Sequence, residues 1–464
     1  MKRAMLVGVV ALLAVYVSLV ELPVLLNWQR YCNNGFDLGI FAQAVREMGH
    51  GDFNPWIPIY SMRFFADHFD PIVVPVSVLA GLMDPSLYLM LVESGAVLGA
   101  FALLVRFAVK SGYSVSLTLC LGALFLFSCG VINAVTFPVH PSTWATVVFL
   151  GLAVATARDR AGWIVALALA LLLFKEEHTF VVLALGLHYV RLKRFRLGAS
   201  LLALGGAWYV LAFHLRPLIT GPTSPYTESF LRPWQEDFGG TLSRTFTSSA
   251  RWLVWLELFV PFGPLLFVAW RRGRLNGAMF AALVPILAIR LIADRWTHQY
   301  GAIVTATLAG LFVVPGEWTR DRVPRAAVAL TAVLLLGAQL QFLGQYSFKT
   351  LFRGGLTHCP ASTERIEELS LARREIARFP QLPLYASGNL LPRFMEHDAL
   401  EQLGTTTHVP SGPFLVLTEG PPTGSAWPKT FDALQLEVDT LTKDQTRVAL
   451  VEGRYIRLFR CTPR

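Results

Sequence analysis

The sequence predicts an α-helical polytopic membrane protein of about eleven transmembrane helices, with a small α/β extracytoplasmic domain at the C-terminal end. Three observations predict it. The 464 residues are 54% hydrophobic and only 15% charged, with a mean hydropathy of +0.50, whereas soluble domains carry roughly a quarter charged residues. Apolar runs close to the ~20 residues that cross a bilayer as a helix recur along most of the chain. After Gly344 the chain turns more polar and its apolar runs shorten. A water-soluble globular protein is excluded.

The net charge is +9 and the pI about 9.5. No basic-aromatic motif accompanies that charge, so no nucleic-acid partner is expected. The basic residues sit mostly in short connections between apolar runs, where they set orientation.

The apolar runs place spans at 4–27, 84–107, 114–136, 142–157, 161–174, 178–192, 197–216, 252–270, 275–293, 299–315 and 324–344. The first exceeds the ~7–15 apolar residues of a signal-peptide core and lacks a small-residue cleavage site, so it reads as an uncleaved span. The run 72–83 is too short to cross and reads as re-entrant or interfacial. The runs 161–174 and 178–192 are short enough to be one long helix. The basic connections decide against that. Kept separate, they collect Lys2/Arg3, Arg106/Lys110, Arg158/Arg160, Arg191/Lys193/Arg194/Arg196, Arg271/Arg272/Arg274 and Arg320/Arg322/Arg325 on one side. By the positive-inside rule the N-terminus is cytoplasmic and the C-terminus periplasmic or extracellular, in a multi-pass protein of the cytoplasmic (inner) membrane.

Residues 1–344 thus form a transmembrane domain with a long first outer loop, 28–71, and a second outer loop, 217–250. Residues 345–464 form the outer domain, with a helical pattern at 362–378 and strand-like runs at 382–386, 413–418, 446–451 and 455–460. No internal repeat is visible. Cys120 and Cys129 lie within a span and read as packing residues. Cys359 and Cys461 flank the outer region, where an oxidising compartment permits a disulfide without requiring one.

The outer connections hold the candidate chemistry, and every histidine except His188 falls on that side. The first loop opens Asn33-Asn34-Gly35-Phe36-Asp37. Apolar residues at 40, 41, 44, 45 and 48 then give a helix with one apolar face, suited to the membrane surface. Asp37, just ahead of it, suits two roles. One is an N-cap; the other is a carboxylate acting as general base on an incoming hydroxyl or amine.

Asp67-His68-Phe69-Asp70-Pro71 ends the loop. Asp67 and His68 suit metal binding or substrate orientation, and Asp70-Pro71 equally suits a helix start. Lys175-Glu176-Glu177 lies where two short apolar helices meet, and charges near membrane depth face a polar cavity or one another. The bland reading is a surface turn. His140, between two prolines, and the pair His298/Tyr300 are individually weak signals that converge on one outer cavity. Arg290, at the outer end of a span, and Arg295 beyond it match phosphate oxygens; the bland reading is snorkelling.

These segments resemble the domain-of-unknown-function-2079 family of bacterial and archaeal membrane proteins. The resemblance rests on Phe36-Asp37-Leu38-Gly39-Ile40-Phe41-Ala42-Gln43-Ala44-Val45, Asp67-His68-Phe69-Asp70-Pro71, His140-Pro141, Lys175-Glu176-Glu177 and His298-Gln299-Tyr300. It covers roughly 30–310. Where the family usually has an acid after His-Pro this chain has Ser142, and where it has Lys-Glu-Asp this chain has Lys175-Glu176-Glu177.

The family is in turn similar in layout to membrane glycosyltransferases of the GT-C type, which have an essential Asp near the start of a long first outer loop. The likeness implies sugar transfer from a polyprenyl-phosphate carrier to an acceptor lipid, protein or glycan on the outer face. It implies Asp37 as catalytic base, with Asp67, His68, His140, Glu176, Glu177, His298 and Tyr300 around the substrate. Lys175, Arg290 and Arg295 would lie on the carrier phosphate. The cofactor is open; for a divalent metal ion the candidate ligands are Asp67, His68 and Glu176. A transporter or flippase of a lipid-linked or anionic substrate is the alternative, although such proteins tend to show internal repeats. A non-catalytic scaffold or sensor is a third reading.

Overall fold

The computed structural model describes residues 2–29, 35–57, 62–67, 69–137, 139–221, 233, 235–247, 255–256, 258–293, 300–314, 323–341, 363–388, 390–394, 397, 399–403, 411–420 and 431–463. The chain forms two compact units. One comprises Met1–Glu21, Phe65–Pro75 and Leu91–Lys349; the other comprises Leu22–Phe64, Val76–Met90 and Thr350–Arg464.

Apolar helices account for the predicted spans that fall on described residues. Arg3–Gln29, Pro85–Lys110 and Phe195–Thr220 are long and apolar enough to cross a membrane. Val115–Leu126 and Cys129–Thr136 make a fourth candidate as a pair bent by 42°. The others are shorter: Pro141–Ala157, Ala161–Leu172, Val260–Arg271, Gly277–Ile292, Tyr300–Leu311 and Arg325–Gln339. Among the described residues, length and composition thus support up to four crossings, and the expected count of about eleven includes the shorter apolar runs. The run at 72–83 forms the short helical stretch Val73–Leu82. At about 1.5 Å per residue it is about half a bilayer long.

Local chemistry explains the breaks. Ser128 caps the second half of the bent pair, its Oγ accepting from the Val131 N–H at 3.2 Å. It also bonds Thr305 Oγ1 at 3.1 Å. Pro141 opens its helix at a position that needs no N–H donor. Cys129–Thr136 packs closely on Tyr300–Leu311, where a Cβ on Gly301 would come within 2.6 Å of the Gly130 Cα. Asn276 fastens three elements, its Nδ2 donating to Ala153 O at 3.2 Å, Thr156 Oγ1 at 3.0 Å and Val313 O at 3.1 Å.

In the second unit, the helix Gly35–Gly49 buries Leu38, Ile40, Phe41, Ala44, Val45 and Met48. The sequence suggested that this apolar face rests on lipid. Instead it packs within the unit, with Phe41 edge-on to Phe64 at 5.6 Å. Arg393 stacks over the Trp28 ring at 4.0 Å, and Ser86 Oγ donates to Pro392 O at 2.8 Å. Much of the segment 28–71 therefore belongs to the same compact unit as the C-terminal region.

That region carries a five-stranded mixed sheet: β1 (Leu384–Ala386), β2 (Leu400–Gln402), β3 (Phe414–Glu419), β4 (Gln445–Glu452) and β5 (Ile456–Pro463). The order is β2-β1-β3-β5-β4, with β1 parallel to β2 and β3, and β5 antiparallel to β3 and β4. Every residue of β3 is buried, the pattern of a central strand covered on both faces. The helix Thr363–Ile376 supplies Arg365, which pairs with Glu419 at 2.6 Å with both side chains buried. Glu368 of the same helix accepts the backbone N–H groups of Arg454, Tyr455 and Ile456 at 2.8, 2.9 and 2.8 Å. The sequence reading omitted β2 and the helix Phe431–Leu441. Cys461 is buried in β5, and Cys359 lies outside the described residues.

Candidate functional site

The first unit draws several of the predicted residues into one ionic cluster. Its centre is the connection between the helices Ala161–Leu172 and His178–Arg191. Two helices therefore form here rather than one long one. The break is held by His178, whose Nδ1 bonds the Leu171 carbonyl at 2.9 Å. The Ile72 N–H donates to Leu173 O at 3.0 Å, seating the residue after the segment 28–71 beside it.

Glu177 leaves this turn to accept a hydrogen-bonded ion pair from Arg290, with side chains 15% and 3% exposed. Arg290 lies on the helix Gly277–Ala293, whose interior Pro285 removes one backbone donor upstream. The Arg290 guanidinium carbon is 4.4 Å from the centre of the Tyr300 ring, and Lys175 Nζ is 5.1 Å from the same ring. Tyr300 is itself buried at the start of its helix.

The electrostatics follow from this geometry. Burial disfavours the Lys175 ammonium, but Tyr300, Glu177, Asp70 and Glu176 together outweigh it, and the pKa is raised. Burial likewise opposes the Glu177 carboxylate, yet Arg290 and then Lys175 lower its pKa to about 2. Two cations face three carboxylates, so the charges compensate one another near a narrow crevice. That crevice is lined by Glu177, His178 and Arg290 with Val181, Ile286, Ile289 and Ile303.

The remaining predicted residues fall elsewhere. Asp67 is half-buried, and the acid of its loop that acts on Lys175 is Asp70. His140 is buried, stacks on Phe137 at 5.4 Å, and presents its backbone to Glu93. Asp37 belongs to the second unit. It sits inside the first turn of Gly35–Gly49 rather than ahead of it, where a carboxylate complements the helix dipole. His68, Arg295 and His298 lie outside the described residues. Among the described residues, no group of three or more His, Cys, Asp or Glu could hold a metal ion.

Several charged residues were missed. Asp70 and His178 were visible in their motifs but were given no role at the site. Glu93 is buried within the span Pro85–Lys110, and Glu21 accepts from Ser94 Oγ at 2.6 Å. Arg216 is buried at the end of another span. The available signal was an ionisable residue inside an apolar run, which is expensive and therefore informative.

The comparisons with known proteins agree with this architecture. A family model described as "Predicted membrane protein (DUF2079)" matches residues 28–402. The chain belongs to the DUF2079 family. No curated protein matches it. Among solved structures, this DUF2079 chain resembles the crystal structure of ArnT from Cupriavidus metallidurans bound to undecaprenyl phosphate. The TM-score is 0.58 at 14% identity, covering 99% of this chain and 98% of that one. At that identity the likeness establishes the fold alone, a mostly helical architecture like that of ArnT with a small C-terminal sheet.

Proposed function

We propose that this DUF2079 protein is a GT-C-like glycosyltransferase. It would take a sugar from a polyprenyl-phosphate carrier and give it to an acceptor on the outer face of the cytoplasmic membrane. The observation that carries the reading is the compensated cluster of Lys175, Glu177, Arg290 and Tyr300 beside a crevice. Its weight comes from the fold, which resembles that of a protein crystallised with undecaprenyl phosphate. Ionisable groups are kept in membrane helices mainly where function needs them.

In the reaction, Asp37 accepts the proton of the acceptor hydroxyl as its oxygen attacks the anomeric carbon. The bond from that carbon to the carrier oxygen breaks, and the phosphate leaves with the electron pair. Positive charge from Lys175 and Arg295 stabilises the departing phosphate. Glu177 fixes Arg290, while Asp67, His68, His140, Glu176, His298 and Tyr300 shape the pocket. The N-terminus lies in the cytoplasm and the C-terminal sheet outside.

The test is transfer of radiolabel from polyprenyl-phosphate-linked sugars in membranes from cells that contain or lack the protein. The wild-type protein gives transfer, and Asp37→Asn at equal expression abolishes it. Unchanged transfer by Asp37→Asn would overturn the reading.

A further inference from the structure

The helix Phe195–Thr220 contains a second feature that the cluster above does not use. Its middle widens into a π-helical segment, Val210–Leu215, directly before Arg216, and such bulges recur at functional sites. Around it Leu215, Leu218 and Ile219 are exposed, while Arg216 is only 6% exposed. The exposed side of the helix end is apolar, and the arginine is turned inward.

The Arg216 guanidinium carbon lies 5.6 Å from the centre of the Phe69 ring. Trp208, about two turns earlier, has its ring 5.8 Å from the same phenyl group. Arg216 Nε and Nη1 and Trp208 Nε1 are all buried, and none meets a hydrogen-bond acceptor among the described residues. Buried donors are nearly always paired, and a buried guanidinium without a counter-charge is costly. Three donor nitrogens on two side chains that share one aromatic ring call for a ligand that accepts only, is anionic and offers several oxygens. Phosphate has that chemistry, and the arginine fork matches it.

Lys175 and Arg290 answer this need poorly. Each already faces carboxylates within the protein, whereas Arg216 forms no ion pair among the described residues.

We propose that Arg216, with the Trp208 indole N–H, binds the phosphate of a lipid phosphate monoester whose chain lies along the exposed Leu215, Leu218 and Ile219 face. This rests on the polyprenyl-phosphate reading above and moves the main phosphate contact from Lys175 and Arg295 to Arg216.

The experiment is binding by native mass spectrometry to the purified full-length protein in nanodiscs, with undecaprenyl phosphate, undecaprenol and inorganic phosphate as separate probes. Wild type should bind undecaprenyl phosphate at least tenfold more tightly than undecaprenol. Arg216→Gln should lose at least tenfold toward the phosphate lipid and nothing toward undecaprenol, and Arg216→Lys should recover part of the loss. Trp208→Phe keeps the ring, drops one donor and should lose several-fold, which preserves the test if Arg216→Gln does not fold.

Wild-type binding that survives both Arg216→Gln and Trp208→Phe would overturn the inference and leave the glycosyltransferase reading standing. Tight binding of inorganic phosphate alone, lost in Arg216→Gln, would overturn the lipid assignment. A wild-type protein that binds neither lipid would overturn the carrier reading and this inference with it.

Discussion

The guanidinium carbon of Arg290 lies 4.4 Å from the centre of the Tyr300 ring, and the same arginine donates to Glu177. A cation held between a ring face and a carboxylate has its hydration replaced from two directions. Lys175 approaches the same ring at 5.1 Å. Two cations can share this neighbourhood because Glu177, Glu176 and Asp70 surround them.

Removing one partner should therefore cost more than removing both. Glu177→Gln leaves Arg290 buried beside an uncharged amide, and such a loss typically costs about 3–5 kcal/mol. The double variant Glu177→Gln, Arg290→Met should melt higher than Glu177→Gln alone, because the stranded charge is gone. Thermal denaturation in detergent, followed by tryptophan fluorescence, ranks the three proteins. A double variant less stable than Glu177→Gln would contradict the assignment.

Stability should depend on pH through Glu177, and the sign is fixed. Its carboxyl falls from an ordinary 4.5 to about 2 in the folded protein, so the unfolded chain binds the proton more readily. The stabilisation is fully present above pH 4.5 and is lost as the pH falls through about 2. Lys175 is shifted upward, so its contribution is complete below its ordinary value and lost only at strongly alkaline pH. Melting temperatures measured from pH 7 to 3 should fall below pH 4.5 in wild type, and the fall should be smaller in Glu177→Gln.

Tyr300 offers a separation of ring from hydroxyl. Tyr300→Phe keeps the face under Arg290 and Lys175, whereas Tyr300→Leu removes it, at a cost of about 0.5–2 kcal/mol for each cation–π contact. Leucine should lower the melting temperature more than phenylalanine does. Equal effects would mean that the rings and cations are neighbours without mutual stabilisation.

The C-terminal sheet has its own vulnerable acid. Glu368 accepts three successive backbone N–H groups between β4 and β5. Glu368→Ala strands those donors, at about 1–3 kcal/mol for each one left buried and unsatisfied. Limited proteolysis of the full chain should cut faster near 453–456 in this variant, and Glu368→Gln should be intermediate.

The helices were legible because long apolar runs leave the backbone one way to satisfy itself in lipid. The break at 173–177 was legible from the basic connections, because one long helix would put the cluster at 191–196 on the outer side. Strand β3 showed itself as the run Phe414-Leu415-Val416-Leu417, a central strand with no polar face. Strand β2, Leu400-Glu401-Gln402, did not, because three residues are too few for a periodic pattern to register.

At the site, the sequence showed Glu177, Arg290 and Tyr300 as separate weak signals. Glu177 is 113 residues from Arg290 in the chain, and only packing of three helices brings the group together. Arg216 hid for a different reason. Next to Pro217 at the end of a predicted span, it belonged to no motif, and burial is invisible without the fold. The apolar face of Gly35–Gly49 was read correctly as apolar, but whether protein or lipid covers such a face is a tertiary fact.

The contact between Gly130 and Gly301 leaves no room for a side chain, and Tyr300 is the residue next to it. The spacing of two bare backbones thus sets where an aromatic ring stands and, through the ring, where two cations rest. A methyl group added at either glycine would act as a wedge, altering the ionic cluster without touching any charged residue. The chemistry of the site is in that sense gauged by residues that contribute no chemistry of their own.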